Sequence, residues 1–160
     1  MKLAQCIILD LLKDYDPVPL LPETCNFHFS GVQLLDQDNP TDDPSILYIG
    51  TTTQISSFDT EKLKDFCIIC IGKKEDVSSY IKNYQANLIL IPENHSLASI
   101  VNTLYTGFHR ILNWDGELQN AILRKQNYQS LFSIGGRFFG KNAMIMVNSS
   151  YNVIGANLLE

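Results

Sequence analysis

The stretch Phe66-Cys67-Ile68-Ile69-Cys70-Ile71-Gly72 is an apolar run of strand length that ends at a glycine. Two further runs have the same form, Ile46-Leu47-Tyr48-Ile49-Gly50 before it and Leu88-Ile89-Leu90-Ile91-Pro92 after it. A strand with one exposed face alternates apolar and polar residues, whereas these runs do not, so burial on both faces is expected. Segments of helical composition separate them. The pattern predicts an α/β fold with a small, mostly parallel sheet flanked by helices and right-handed crossovers.

Shorter segments complete the predicted first domain. Apolar residues recur at helical spacing from Leu3 to Tyr15, which predicts an amphipathic helix that ends at Asp16-Pro17. Residues 27–35 look extended, with Ser30-Gly31 as a turn that divides them. Short helices are expected over a segment ending at residues 61–64 and over residues 75–84.

A long helical connector is predicted from about Ser96 to Gln126. Its apolar residues follow a heptad spacing, which lets helices pair along a shared stripe; this seam comprises Leu97, Val101, Leu104, Phe108, Ile111, Leu118 and Ile122. Gly107 and Gly116 each weaken a helix by roughly 1 kcal/mol relative to alanine, so the sequence allows a break near residues 113–116. Trp114 beside Asp115 suggests either a hinge or partner contact, or a cap on the hydrophobic core.

The last segment has the pattern of a β-hairpin. Residues 143–147 are an apolar run, Asn148–Asn152 have turn chemistry, and residues 153–157 predict a returning strand. A lone hairpin is marginally stable in water, so we expect this one to pair with the first domain or a second copy, or to be poorly ordered. The predicted domains are residues 1–95 (an α/β domain), 96–139 (a helical connector) and 140–160 (the start of an incomplete domain).

Composition limits the class of protein. The chain has 160 residues, of which 45% are hydrophobic and 18% charged, as is usual for a folded domain plus a connector. Its net charge of −5 argues against binding nucleic acid by itself, because phosphate contacts need clustered cations. Residues 1–12 resemble an amphipathic helix rather than a secretory signal, and no apolar run reaches the roughly 20 residues that span a bilayer. A cytoplasmic location without membrane contact is predicted.

Cysteine and histidine patterns predict no metal or redox centre. Cys67 and Cys70 form a C-x-x-C pattern, but they lie within an apolar strand, where residues three apart point to opposite faces. Such cysteines are expected in the core. Cys6 and Cys25 are isolated, and the histidines at positions 28, 95 and 109 are scattered. No cofactor or catalytic residue is predicted.

The loops that follow the three apolar strands are the best candidates for a ligand site. In an open parallel sheet, ligands bind beyond the carboxyl ends of the strands. The candidate residues in these loops are Thr51, Thr52, Lys73, Asn94 and His95. Their hydroxyl, cationic and imidazole groups suit a small anion or polar metabolite. The alternative is that the loops are ordinary connections in which Thr and Asn cap helices.

The order of elements is similar to the N-terminal region of PucR-type (purine catabolism regulator-like) bacterial transcriptional regulators. The resemblance is carried by the strands Gly31-Val32-Gln33-Leu34-Leu35 and Ile46–Gly50, by Leu88–Leu104 through Trp114 and Leu118, and by the strand at residues 143–147. It implies sensing segments followed by a C-terminal helix-turn-helix that binds DNA. This chain contains no such motif, so DNA binding is implied only through a domain outside it. The final hairpin resembles the opening of PAS- and GAF-like sensor domains. The resemblance implies that residues 1–95 are an input domain and that residues 140–160 begin an incomplete sensor domain.

The leading hypothesis is a non-catalytic regulatory domain of a transcriptional regulator, which binds a small-molecule effector and signals through a homodimer seam. A small enzyme is the first alternative, with Thr51 in the site and Lys73 or His95 as acid-base groups. A dimerisation scaffold without a ligand is the second.

Overall fold

The computed structural model describes residues 2–20, 27–36, 43–57, 65–77, 87–139 and 144–157. The predicted helix ending at residues 61–64 and most of that at residues 75–84 lie outside these ranges. The chain forms two compact units, Met1–Phe108 and His109–Glu160. This division falls within the predicted helical connector, because the first part of that helix packs with the sheet domain.

The elements of the first unit alternate between strands and helices. In chain order they are β1 (Leu3–Ala4), α1 (Gln5–Leu11), a 3-10 turn (Lys13–Tyr15), β2 (Val18–Leu20), β3 (His28–Phe29), β4 (Gly31–Leu34), β5 (Ile46–Thr51), α2 (Thr52–Ser57), β6 (Cys67–Ile71), β7 (Asn87–Ile91) and the start of α3 (Leu97–Leu123). Residues 74–77, between β6 and β7, are also helical.

A five-stranded sheet of order β2-β7-β6-β5-β4 forms the centre of this unit. Strands β4 to β7 are parallel, and Ile68 of β6 lies in register between Tyr48 of β5 and Leu88 of β7. Strand β2 pairs antiparallel with β7 at one edge. The α/β fold with a mostly parallel sheet, predicted from three apolar runs, is confirmed.

Both faces of the sheet are buried. On one face, Tyr48, Ile68 and Leu88 pack in a cluster with Ile55 of α2 and Val77 of the helical segment before β7. Two successive crossovers therefore cover the same face, as connections of one hand require. The alternate residues of these strands point to the opposite face, and they are also buried: Ile49, Ile69, Ile89 and Ile91 are each 0% exposed.

Helices α1 and α3 pack against each other. A Cβ built on Gly107 of α3 would lie 2.6 Å from Cδ1 of Leu11, so the missing side chain allows the close approach. Tyr105 of α3 donates its hydroxyl proton to the carbonyl oxygen of Val32 in β4 at 3.0 Å. These contacts place the start of α3 beside the sheet.

The second unit contains the end of α3, helix α4 (Tyr128–Phe139) and the hairpin of β8 (Met144–Val147) and β9 (Val153–Asn157). The two strands pair antiparallel in a sheet of their own. Gly155 of β9 lies under the ring of Phe132, and Gln129 forms hydrogen bonds with both the N–H and the C=O of Ala156. The hairpin thus packs on α4 within its own unit.

Three elements differ from the sequence-based predictions. Leu3 pairs with Phe29 in a short β-bridge, so the first helix is shorter than the apolar spacing predicts. The segment after Asp16-Pro17 is an edge strand, Val18–Leu20, rather than a plain helix end. Helix α3 runs without a break through Gly107 and Gly116, because a single glycine costs too little to interrupt a helix of 27 residues.

Candidate functional site

A hydrogen bond joins the carboxyl ends of the neighbouring strands β6 and β7. The N–H of Gly72, directly after β6, donates to the carbonyl oxygen of Ile91 at the end of β7 (3.0 Å). Gly72 has a φ of +155°, and a Cβ at this position would lie 2.3 Å from Cγ2 of Thr52. The glycine thus lets the chain leave β6 tightly against the start of α2.

A cavity of about 250 Å³ opens beside these strand ends. Its described lining consists of Val18, Gly72, Lys73, Lys74, Glu75, Leu90, Pro92 and Glu93. The Nζ atom of Lys73 lies 3.2 Å from Oε1 of Glu93, and both side chains are more than half exposed. Solvent screens such a pair, so it contributes little to the stability of the fold.

Thr51 and Thr52 make local structural contacts at the end of β5. The N–H of Thr51 donates to Oε1 of Gln54 (2.9 Å), and the Nε2 group of Gln54 donates to the carbonyl oxygen of Leu35 (3.2 Å). Oγ1 of Thr51 accepts a long 3.4 Å bond from the N–H of Gln54, as a residue at the start of a helix does. Thr52 lies against Gly72.

His95 lies against Tyr15 in the loop after β7. The two rings meet edge to face with centroids 5.1 Å apart. The Nε2 atom of His95 is buried, and no hydrogen-bond partner for it occurs within the described residues. Asn94, its neighbour, is exposed.

Of the five predicted site residues, the structure places Lys73 in the strand-end cavity. Thr51, Thr52, Asn94 and His95 are not among the described residues that line it. Glu93, in the loop after β7, was not among the predicted site residues, and neither was Val18, because β2 was not expected at the sheet edge. The available chemistry is two lysines, Lys73 and Lys74, and two carboxylates, Glu75 and Glu93, beside the apolar side chains of Val18, Leu90 and Pro92.

Cys67 and Cys70 are both buried in β6, as predicted. Burial raises the pKa of the Cys70 thiol to about 12, so at neutral pH it is protonated and a poor nucleophile. Across the described ranges, no three His, Cys, Asp or Glu side chains cluster in a way that could hold a metal ion.

The predicted seam of α3 is largely used within the chain. Leu104, Phe108 and Ile111 are between 0% and 6% exposed, whereas Ile122 is 63% exposed. The other seam residues, Leu97, Val101 and Leu118, are half-buried. Only the last position of the heptad pattern is therefore open to a partner.

Comparison with protein-family models, with curated proteins and with solved structures finds no match for this chain. Among the helices that the structure describes, none combines the length and the apolar character needed to cross a membrane.

Proposed function

We propose that this chain is a non-catalytic regulatory region of a bacterial transcriptional regulator of the PucR type. In this role the α/β unit binds a small-molecule effector at the strand-end cavity, and helix α3 carries the signal. DNA is then bound through a separate C-terminal domain.

The observation that supports this proposal is the course of α3. The helix begins in the first unit, where Tyr105 is hydrogen-bonded to the sheet strand β4, and it ends in the second unit. A continuous helix is stiff over this length, so a small change at the sheet is transmitted along it. An effector that favours one arrangement of α3 shifts an existing equilibrium between arrangements.

A thermal-shift screen of purines, nucleotides and amino-acid metabolites tests the proposal. A ligand that binds only the native state raises the apparent melting temperature, and the shift grows with ligand concentration. Lys73→Ala should reduce the shift, because it removes one of the two lysines that line the strand-end cavity, whereas Lys125→Ala removes an equivalent charge from the turn after α3 and should leave the shift intact. If no compound in the screen shifts the transition, or if both variants behave alike, this ligand site is wrong.

A homodimer is part of the proposal, with the exposed end of α3 at Ile122 and Leu123 as the contact. Sedimentation at tens of micromolar should then show a dimer that Ile122→Glu dissociates. Asn120→Glu adds the same charge at an exposed position on a different face of the helix and serves as the control. A monomeric wild-type chain would rule out dimer signalling.

The enzyme alternative requires two acid-base groups at one cavity. Lys73 and Glu93 form an ion pair at the strand-end cavity, whereas His95 packs on Tyr15 and is not among the described residues that line it, so Lys73 and His95 are not brought together there. The scaffold alternative predicts a dimer without any thermal shift, which the two measurements together distinguish from a sensor.

A further inference from the structure

The hairpin of β8 and β9 has two edges, and within the described residues only one of them is paired. At the outer edge of β9, the side chain of Gln129 on α4 pairs with the backbone of Ala156. Its Nε2 group donates to the carbonyl oxygen of Ala156 at 2.6 Å, and its Oε1 atom accepts from the N–H at 3.1 Å. Among the strands that the structure describes, β8 pairs with β9 alone. The other edge of β8 is therefore open to a further strand.

The bonds of Ala156 fix the direction of the backbone groups of Ile145. In an antiparallel ladder, facing residues alternate between pairs that exchange two hydrogen bonds and pairs whose backbone groups point away from each other. Ile145 faces Ala156, and Ala156 uses both of its backbone groups toward Gln129. Ile145 and Ala156 are thus a pair of the second kind. The N–H and C=O of Ile145 consequently point outward at the open edge of β8.

Apolar side chains are exposed on both faces of β8. Ile145 is 60% exposed, and Met146, which points to the opposite face, is 40% exposed. Apolar residues on both faces are typical of a strand inside a sheet, whereas edge strands are usually protected by charges or prolines. Residues 144–157 contain no charged residue and no proline. β8 therefore has the composition of an internal strand at the position of an edge strand.

We propose that β8 pairs antiparallel with β8 of a second copy of this chain, with Ile145 of each copy at the two-fold axis. At this axis the outward N–H of each Ile145 donates to the outward C=O of the other, so one edge supplies both halves of the ladder. Charge favours a second copy at this surface. Two chains with a net charge of −5 repel each other, but at the uncharged hairpin they meet without a like-charge contact.

The pairing is expected to be weak, because the regular part of the open edge is short. A bulge between Met146 and Val147 interrupts the ladder. Interfaces well below about 1,000 Å² form transient complexes, so we expect a dissociation constant on the order of 0.5 mM. This contact is separate from the proposed α3 contact at Ile122 and Leu123, and it does not depend on the proposed regulatory function.

Sedimentation equilibrium of the full chain, up to roughly 1 mM, tests the pairing. Every chain carries Ile122→Glu, so that the α3 contact does not contribute. This background chain should associate. Adding Ile145→Lys should raise the dissociation constant at least about tenfold, because it places two ammonium groups opposite each other at the axis. Adding Tyr151→Lys instead puts the same charge at the hairpin turn, where the side chain is 88% exposed, and should leave association unchanged.

A charge exchange identifies the partner strand. In the same background, Ile145→Lys and Ile145→Glu should each be monomeric, and an equimolar mixture should form a heterodimer because opposite charges then face each other at the axis. Circular dichroism checks that each variant is folded. The proposal is overturned if the background chain stays monomeric, as it would if a strand of another kind covers this edge, if Ile145→Lys associates like the background chain, or if the mixture stays monomeric.

Discussion

At the scale of single residues, Gly72 determines how the chain leaves β6. Its φ of +155° is unfavourable for a side chain, and the space that a Cβ would occupy is filled by Thr52, with Cγ2 at 2.3 Å and Oγ1 at 2.8 Å. Gly116 is the opposite case, since a Cβ there would meet nothing within 4 Å.

Substitution of these two glycines by alanine should change the stability of the protein in opposite directions. Gly72→Ala should destabilise the protein by about 1–3 kcal/mol, because both the backbone and Thr52 must move. Gly116→Ala should stabilise it by roughly 0.5–1 kcal/mol, because alanine favours the helix. Urea unfolding measures both, and equal effects would contradict the geometry at Gly72.

Cys70 should be inert in the native protein. Its thiol is buried and its pKa is raised to about 12, whereas Cys6 is exposed. Brief alkylation with iodoacetamide at mildly alkaline pH, followed by peptide mass spectrometry, should label Cys6 and spare Cys67 and Cys70. Labelling in denaturant is the control and should reach all of them.

The same thiol predicts a dependence of stability on pH. Its pKa is higher in the folded state (about 12) than its usual value of 9.0, so the folded state holds the proton more tightly. Its contribution is therefore fully present below about pH 9 and is lost as the pH rises toward 12. Cys70→Ala should show a shallower alkaline loss of stability than wild type in urea unfolding at several pH values. If stability fell with rising pH at the same slope in Cys70→Ala and in wild type, the predicted role of the Cys70 thiol would be wrong.

At the scale of elements, hydroxyl groups join α3 to the rest of the first unit. The Oη atom of Tyr15 lies 2.8 Å from Oγ of Ser99 and 2.7 Å from Oγ1 of Thr103, one turn apart on the helix. Tyr105 adds the bond to the strand β4. These hydrogen bonds thus fix where α3 lies along its own axis, because their geometry is more specific than that of its apolar contacts.

Tyr15→Phe should cost about 0.5–1.5 kcal/mol of stability, because it removes two hydrogen bonds and keeps the ring packed on His95. Tyr151→Phe is the matched control: Tyr151 is 88% exposed, so its hydroxyl group should contribute nothing measurable. Thermal unfolding compares the two, and a neutral Tyr15→Phe would show that these bonds do not hold α3.

The helix α3 also shows how far an element can be predicted. Its existence and approximate ends follow from apolar periodicity, which is a local property. The same periodicity suggested a partner helix along the whole seam, but Leu104, Phe108 and Ile111 are buried in their own chain. An apolar stripe on a helix indicates that this face of the helix is buried, but it does not indicate which other element buries it.

At the scale of the whole molecule, the excess of acidic over basic residues governs encounters with polyanions. With a net charge of −5, the chain should not shift duplex DNA in a gel assay at physiological salt. A salt-sensitive DNA complex would contradict this prediction.

The two cavities differ in how much of them the sequence could reveal. The strand-end position of Lys73 follows from the rule for parallel sheets, so it was predictable. Val18 was not, because its place beside β7 depends on a long-range antiparallel pairing. The second cavity, of about 200 Å³, lies between α3 and α4. The helical spacing of its α3 residues is visible in the sequence, but they line a cavity only together with Ile134 and Arg137 of α4; these α3 residues are Arg110, Asn113, Trp114 and Glu117.

The sequence by itself determined the α/β class, the parallel strands β5 to β7, the long helix, the hairpin and the buried C-x-x-C pattern, because each depends on the local order of apolar residues and turn formers. Tertiary structure alone decided the edge strand β2, the partner of the α3 seam, the tight contact between Gly72 and Thr52, and the grouping of side chains into cavities. These depend on contacts between residues far apart in the chain, which local patterns leave unspecified.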